Sequence, residues 1–316
     1  MKLGLVGYGS IAAAHVRALS GLDVELVGVM GRLAEPAADF ARQHAIPRAT
    51  TDLDELLGLD GLEAAVICSP SEAHAEQTAR ALRAGKHVLC EIPLATSLEA
   101  TDELIELADR QDRRLMVCHT QRYYPGLVEA RRLIESRALQ PHSVVARYGF
   151  LRRENVNWMG RRRSWTDNLI WHHGCHAVDT CLWLLGEPVV DLSAQVARPG
   201  RALGIPMDLG VLMRTARDQV VTVALSYNTH IQVQDYLVVG EETTVLYADG
   251  ELRDRERSLV ARQPDHDPIR DQDREFLNAV REQRAPAVSA RAVRPAMAVL
   301  QQVQDWIDRR LRDEAT

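Results

Sequence analysis

Lys2-Leu3-Gly4-Leu5-Val6-Gly7-Tyr8-Gly9-Ser10-Ile11-Ala12-Ala13-Ala14-His15-Val16-Arg17-Ala18-Leu19-Ser20 opens the chain, and its reading decides the fold. The apolar run Lys2 to Val6 predicts a strand, the glycines a tight turn, and the periodicity from Ile11 to Ser20 a helix. Gly7-x-Gly9-x-x-Ala12, placed after a strand and opening a helix, is the dinucleotide fingerprint with alanine at its third position. Glycine lets the backbone approach a pyrophosphate, and the helix start supplies oriented N–H groups and positive partial charge. Gly7, Gly9, Ser10 and Ile11 are therefore assigned to cofactor binding.

Working outward, the same alternation continues. Strands are predicted at 24–30, 64–68, 87–90 and 115–118, and helices at 36–44, 71–84 and from a Ser97 cap to about Gln111. Strands alternating with helices of this length mean a doubly wound parallel sheet. Beyond residue 120 the pattern changes. Two helical stretches, 125–137 and 173–185, accompany strand-like runs at 143–150, 192–196, 209–214, 220–227, 236–239 and 243–247, and two helices (271–283 and 291–311) close the chain. The expected architecture is α/β: a Rossmann domain over 1–120 and, over 121–316, an α+β domain for substrate and oligomerisation, built on an open, mostly antiparallel sheet.

The chain has 316 residues, 46% hydrophobic and 26% charged, with a formal charge of -6. That balance gives no general attraction for nucleic acid and directs attention to small-molecule chemistry. No stretch reaches the roughly 20 apolar residues of a membrane span. The first residues carry no signal-like segment, so a cytoplasmic protein with no membrane partner is expected. Five cysteines, none in a C-x-x-C pair, are expected as buried small hydrophobes.

Strand two ends in Val29-Met30-Gly31-Arg32, with no carboxylate for the 2′-hydroxyl of NAD. Gly31 is read as leaving room for a 2′-phosphate and Arg32 as a planar donor to it, which favours NADP with NAD possible. Arg32 could also simply stack on adenine.

Ser69-Pro70-x-x-x-His74, Glu91-Ile92-Pro93 and Gly174-Cys175-His176-Ala177-Val178-Asp179, in this order after the fingerprint, resemble the glucose-fructose oxidoreductase and inositol dehydrogenase (Gfo/Idh/MocA) family. The resemblance extends over essentially the whole chain. It implies NAD(P)-dependent hydride transfer, with Ser69, Pro70, His74, Glu91 and Ile92 on the cofactor side and His176 as the active-site histidine. Two positions depart from the family: Ile92 stands where lysine is usual, and His172 where aspartate is common. The only lysines are Lys2 and Lys86, and Lys86 begins the strand whose end carries Glu91. The segments 87–94 and 163–173 look like a subgroup that uses NADP to oxidise the cyclic hemiacetal of a dicarboxylic semialdehyde, from protocatechuate 4,5-cleavage, to a pyrone dicarboxylate. A hemiacetal hydroxyl is more acidic than a simple alcohol, which lessens the need for a cationic lysine.

His172, His173 and His176 are the candidate acid–base residues, with His176 as general base. His172 and His176 share a helical face, but no H-E-x-x-H is present and hydride transfer needs no metal, so none is expected. His173 could equally be a hydrogen-bonded core residue. A dicarboxylate substrate calls for guanidinium groups. Arg122 and Arg163 rank first and Arg152 next, either Arg152 or its neighbour Arg153 being expected at the surface. Trp165 could wall the ring or pack, and Asp167 could orient a histidine or cap the helix. A homodimer or homotetramer through the second domain is expected. The alternatives are a dehydrogenase of another hydroxylated ring or sugar acid, and a non-catalytic NADP sensor of the same fold.

Overall fold

The computed structural model describes residues 1–156 and 168–313. Two compact units emerge, Met1–His119 with Asp267–Arg294, and Thr120–His266 with Pro295–Thr316.

In the first unit β1 (Lys2–Val6), α1 (Ser10–Leu19), β2 (Glu25–Met30), α2 (Ala34–Gln43), β3 (Ala49–Thr50), α3 (Leu53–Leu57), β4 (Leu62–Ile67), α4 (His74–Arg83), β5 (His87–Cys90), α5 (Leu98–Arg110) and β6 (Leu115–Val117) follow in order. The strands form one parallel sheet ordered β3-β2-β1-β4-β5-β6. Strand order reverses between β1 and β4, and such a crevice at the carboxyl ends is where dinucleotides bind. The sheet is continuously apolar, with Leu3, Leu5, Val66, Ile67, Val88 and Met116 buried between helical layers. As expected, Ser97 caps α5, its side chain accepting from the Ala100 N–H at 3.1 Å. Sequence reasoning missed β3 and α3, because two and five residues are too short to show a period.

The second unit contains α6 (Pro125–Glu135), β7 (Pro141–Gly149), a π-helical turn (Ile170–Gly174) running into α7 (Cys175–Leu185), and β8 (Val189–Val196). After these come β9 (Asp208–Thr215), β10 (Val220–Ser226), β11 (Val233–Gly240), β12 (Thr244–Ala248), β13 (Glu251–Arg253) and β14 (Ser258–Val260). Their sheet runs β14-β13-β12-β11-β7-β10-β9-β8 and is antiparallel throughout except for the parallel pair β7 and β10. Residues alternate across it. In β9 Leu209, Val211 and Met213 are buried while Leu212 is 49% exposed, and Val220 of the neighbouring strand is 41% exposed.

The chain then returns to the first unit with α8 (Pro268–Arg281) and ends in α9 (Ala290–Asp313). Asp267 caps α8 by accepting from the Ile269 and Arg270 N–H groups. Arg270 donates to the Ala18 and Ser20 carbonyls at the C-terminus of α1, at 3.3 and 2.7 Å, where a cation suits the helix dipole. The expected contiguous 121–316 domain is thus interrupted by 267–294, a long-range return that no local pattern announces. Among the described residues no helix is long and apolar enough to cross a membrane.

Candidate active site

The turn after β1 is built for close approach. Gly7 has φ 113°, and a Cβ there would lie 2.5 Å from the Cys68 carbonyl oxygen, so only glycine fits. Gly9 differs: a Cβ would meet nothing within 4 Å, and α1 begins there without a side-chain cap. An uncapped helix start facing open space offers backbone N–H donors and room to a diphosphate. Ala12 is fully buried, the small residue that lets α1 settle on the sheet. Ser10 is buried and Ile11 half-buried in this first turn. These residues fit a bound dinucleotide.

The expectation for Gly31 is corrected. A side chain at Gly31 would collide with the Tyr8 ring, so the glycine accommodates that ring; the space does not belong to a phosphate. Arg32, just beyond β2, is exposed.

After β4, Ser69 hydrogen-bonds Gln77 through its hydroxyl, and Pro70 precedes a single 3-10 turn, Ser71–Ala73. His74 is 1% exposed, with Nδ1 2.8 Å from the Pro93 carbonyl and Nε2 2.8 Å from that of Ser69. Carbonyls only accept, so both ring nitrogens donate and the ring is an imidazolium tying the loop after β4 to the loop after β5. Burial opposes that charge, but Cys90 and the two carbonyls outweigh it and raise the pKa to about 9. His74, expected on the cofactor side, thus holds these two loops together.

Glu91 follows β5 with its side chain 14% exposed. Its Oε2 accepts from the Ile92 N–H at 3.2 Å and its Oε1 lies 3.0 Å from Nε2 of His15. Nδ1 of His15 lies 2.8 Å from Oδ2 of Asp273 on α8, and both of these side chains are fully buried. Burial works against a charged His15, but Asp273 and Glu91 together raise its pKa to about 10. Cys68 and Cys118 also sit here, and burial pushes both thiols well above their usual range. A Cys118 sulfur, a Glu91 oxygen and a His15 nitrogen lie within 4.8 Å of one another. A proton already joins the two nearer donors, and we assign no metal to them. All five cysteines are reduced and buried.

In the second unit Asn168 sets the helix start, its Oδ1 accepting from the Ile170 and Trp171 N–H groups at 2.9 and 3.1 Å. Gln304 of α9 accepts from Asn168 Nδ2 and Trp171 Nε1, at 2.7 and 3.0 Å. Gly174 permits close packing, since a Cβ would come 3.0 Å from Leu225 Cδ1 of β10. The three histidines separate by burial: His173 is buried, while His172 and His176 are half-buried. Nδ1 of His173 is 2.7 Å from the Tyr227 hydroxyl, which is 3.3 Å from Nδ1 of His172. Tyr148 of β7 and Phe150, the residue just after that strand, pack on the His173 ring.

The arginines separate too. Arg122 forms a bidentate pair with Asp179 of α7, Nε to Oδ2 at 2.8 Å and Nη2 to Oδ1 at 2.6 Å, with 8% and 1% of the side chains exposed. This pair ties Arg122, the expected substrate contact, to α7. Arg152 is 5% exposed; its guanidinium lies 5.0 Å over the Tyr227 ring and its Nη2 donates to Asn155 at 2.8 Å. Its buried Nη1 has no acceptor among the described residues. Arg163, Trp165 and Asp167 lie outside the described residues.

Sequence reasoning missed His15, Asp273, Tyr227 and Asp179. His15 had a signal, three residues after the fingerprint alanine and hence one helical turn further on. Asp273 and Tyr227 meet their partners across 258 and 54 residues, and nothing local marks them.

A Rossmann unit with an open dinucleotide turn, joined to a mixed eight-stranded sheet carrying a histidine cluster, is the architecture of an NAD(P)-dependent oxidoreductase. Residues 1–119 match the Gfo/Idh/MocA model, described as an oxidoreductase family with an NAD-binding Rossmann fold, and residues 127–260 match a model of bacterial oxidoreductase C-terminal domains. The chain is 31% identical over 314 residues, 98% of itself and 99% of the relative, to 4-carboxy-2-hydroxymuconate-6-semialdehyde dehydrogenase of Sphingobium sp. (strain NBRC 103272 / SYK-6). It is 34% identical over 212 residues, 63% of itself and 58% of the relative, to inositol 2-dehydrogenase 2 of Saccharopolyspora erythraea. Its fold is that of levoglucosan dehydrogenase in complex with NADH and L-sorbose, at TM-score 0.86 and 18% identity, covering 96% of each chain. The chain belongs to the Gfo/Idh/MocA family of NAD(P)-dependent dehydrogenases, which act on CH–OH groups.

Proposed function

We propose that the protein is an NADP-dependent dehydrogenase that oxidises the cyclic hemiacetal of 4-carboxy-2-hydroxymuconate-6-semialdehyde to 2-pyrone-4,6-dicarboxylate. The observation that carries the dicarboxylate is Arg152: a buried guanidinium whose Nη1 finds no acceptor among the described residues leaves a strong donor for a substrate carboxylate. The relative of that name, matched over nearly the whole chain, supports the particular ring.

NADP, when bound, supplies the hydride acceptor at nicotinamide C4. Gly7, Gly9, Ser10 and Ile11 hold its diphosphate, exposed Arg32 takes the 2′-phosphate, and Ser69, Pro70, Glu91 and Ile92 border it. His176 removes the proton from the hemiacetal hydroxyl as the ring carbon gives up its hydride, so two electrons and two hydrogens leave the substrate and a lactone forms. His172 and His173, joined through Tyr227, hold the neighbouring polar wall. Arg163 takes the second carboxylate. The exposed sheet face around Leu212 and Val220 pairs subunits into a homodimer or homotetramer, and the enzyme works in the cytoplasm.

The test is absorbance of reduced nicotinamide, with the ring-fission product of protocatechuate and with inositol, each supplied with NADP and with NAD. The dicarboxylate with NADP is the expected best pair, and Arg152→Ala should lower its kcat/KM roughly 10- to 100-fold. Faster turnover of inositol by the wild type, or a normal dicarboxylate rate in Arg152→Ala, contradicts the reading.

A further inference from the structure

Glu91 presents a problem of charge. It is a carboxylate with little exposure, the next residue is the buried and apolar Ile92, and Lys86, just before β5, donates instead to the Leu62 carbonyl at 2.9 Å. A counter-charge comes from α1. His15 lies between Glu91 and Asp273, each ring nitrogen within 3.0 Å of a carboxylate oxygen. Ionised carboxylates only accept, so both nitrogens carry hydrogen and the ring is a cation held at two points. The groups facing it are Asp273 from α8, Glu91 from the end of β5, and the thiols of Cys68 and Cys118 from the ends of β4 and β6. Burial keeps both thiols neutral. The ring thus has two fixed anchors: Asp273, itself fully buried and contacted by Gln272 at 3.3 Å, and the sheet end that carries Glu91.

We propose that His15 and Asp273 are positioning residues: the imidazolium they form fixes Glu91 as an oriented anion that accepts a hydroxyl hydrogen of the bound dinucleotide. This rests on the reading of Glu91 as a cofactor-side residue. Asp273 holds the ring, the ring holds Oε1, and the Ile92 N–H holds Oε2, so the carboxylate has one rotamer to offer when the dinucleotide arrives. Preorganisation of this kind strengthens binding because little ordering is left to do.

A double-mutant cycle on the full chain tests it, read by the fluorescence of NADPH on binding and by melting temperature. Glu91→Ala is expected to raise the NADPH Kd about 10-fold or more, and His15→Gln by a similar factor. If His15 acts through Glu91, adding His15→Gln to Glu91→Ala should change the Kd less than about 2-fold. Independent, additive losses would mean that His15 only supports the fold, and would overturn the proposal. Unchanged affinity in Glu91→Ala would overturn the cofactor reading of Glu91 and the proposal with it. Unchanged affinity in His15→Gln beside a weakened Glu91→Ala would overturn the proposal alone. Nitrogen-15 spectra of the wild-type histidines need no variant to fold. Two protonated ring nitrogens at His15 at neutral pH support the proposal; one bare nitrogen, or a tightly held equivalent of metal on it, refutes it.

Discussion

Asp179→Ala separates the two roles that Arg122 could have. The substitution leaves Arg122, 8% exposed, without its bidentate partner at 2.6 and 2.8 Å. Removing one partner of a buried ion pair costs about 3 to 5 kcal/mol, far above the 0 to 1 kcal/mol of a surface pair. At roughly 2 to 4 °C per kcal/mol for units of this size, the melting temperature should fall about 6 to 20 °C. The double variant Arg122→Met/Asp179→Leu replaces both charges with apolar groups and should recover most of the loss, because the penalty lies in the unpaired charge. Differential scanning calorimetry of the wild type, both single variants and the double variant measures the cycle. If Asp179→Ala melts within about 1 °C of the wild type while Arg122→Ala loses only dicarboxylate turnover, the ion-pair argument is wrong and Arg122 is a substrate ligand after all.

Arg32→Ala should weaken NADP binding by about 10-fold or more and leave NAD little changed, as calorimetric titration of both would show; equal losses would assign Arg32 to adenine stacking. His176→Asn should lower kcat by roughly 10² or more with NADPH affinity preserved, and a retained rate would move the base to His172 or His173. His15 is raised from 6.5 to about 10, so its contribution to stability is complete below 6.5 and is lost as pH rises through 10. Urea unfolding of the wild type should therefore show stability declining between about pH 7 and 10 with a slope that His15→Gln removes, and an identical slope in the variant would refute the assignment.

Local pattern carried much of this protein. The fingerprint at Gly7 and Gly9 and the alternation of apolar runs with helical periods are short-range features, written within about 20 consecutive residues. They determined the Rossmann unit, the cofactor class and the change to a mostly antiparallel sheet beyond residue 120. The site is another matter. Arginines look alike in sequence, yet Asp179 pairs with Arg122 while Arg152 is buried with an Nη1 that finds no acceptor among the described residues. Gly31 reads as room for a phosphate until the Tyr8 ring is found against it. Asp273 reaches His15 only because α8 returns to pack beside α1, 258 residues along the chain. Charge pairing and burial are properties of space, and only the tertiary structure decides which of several identical side chains obtains a partner, because that choice depends on neighbours brought in by chain closure rather than on the residues next in line.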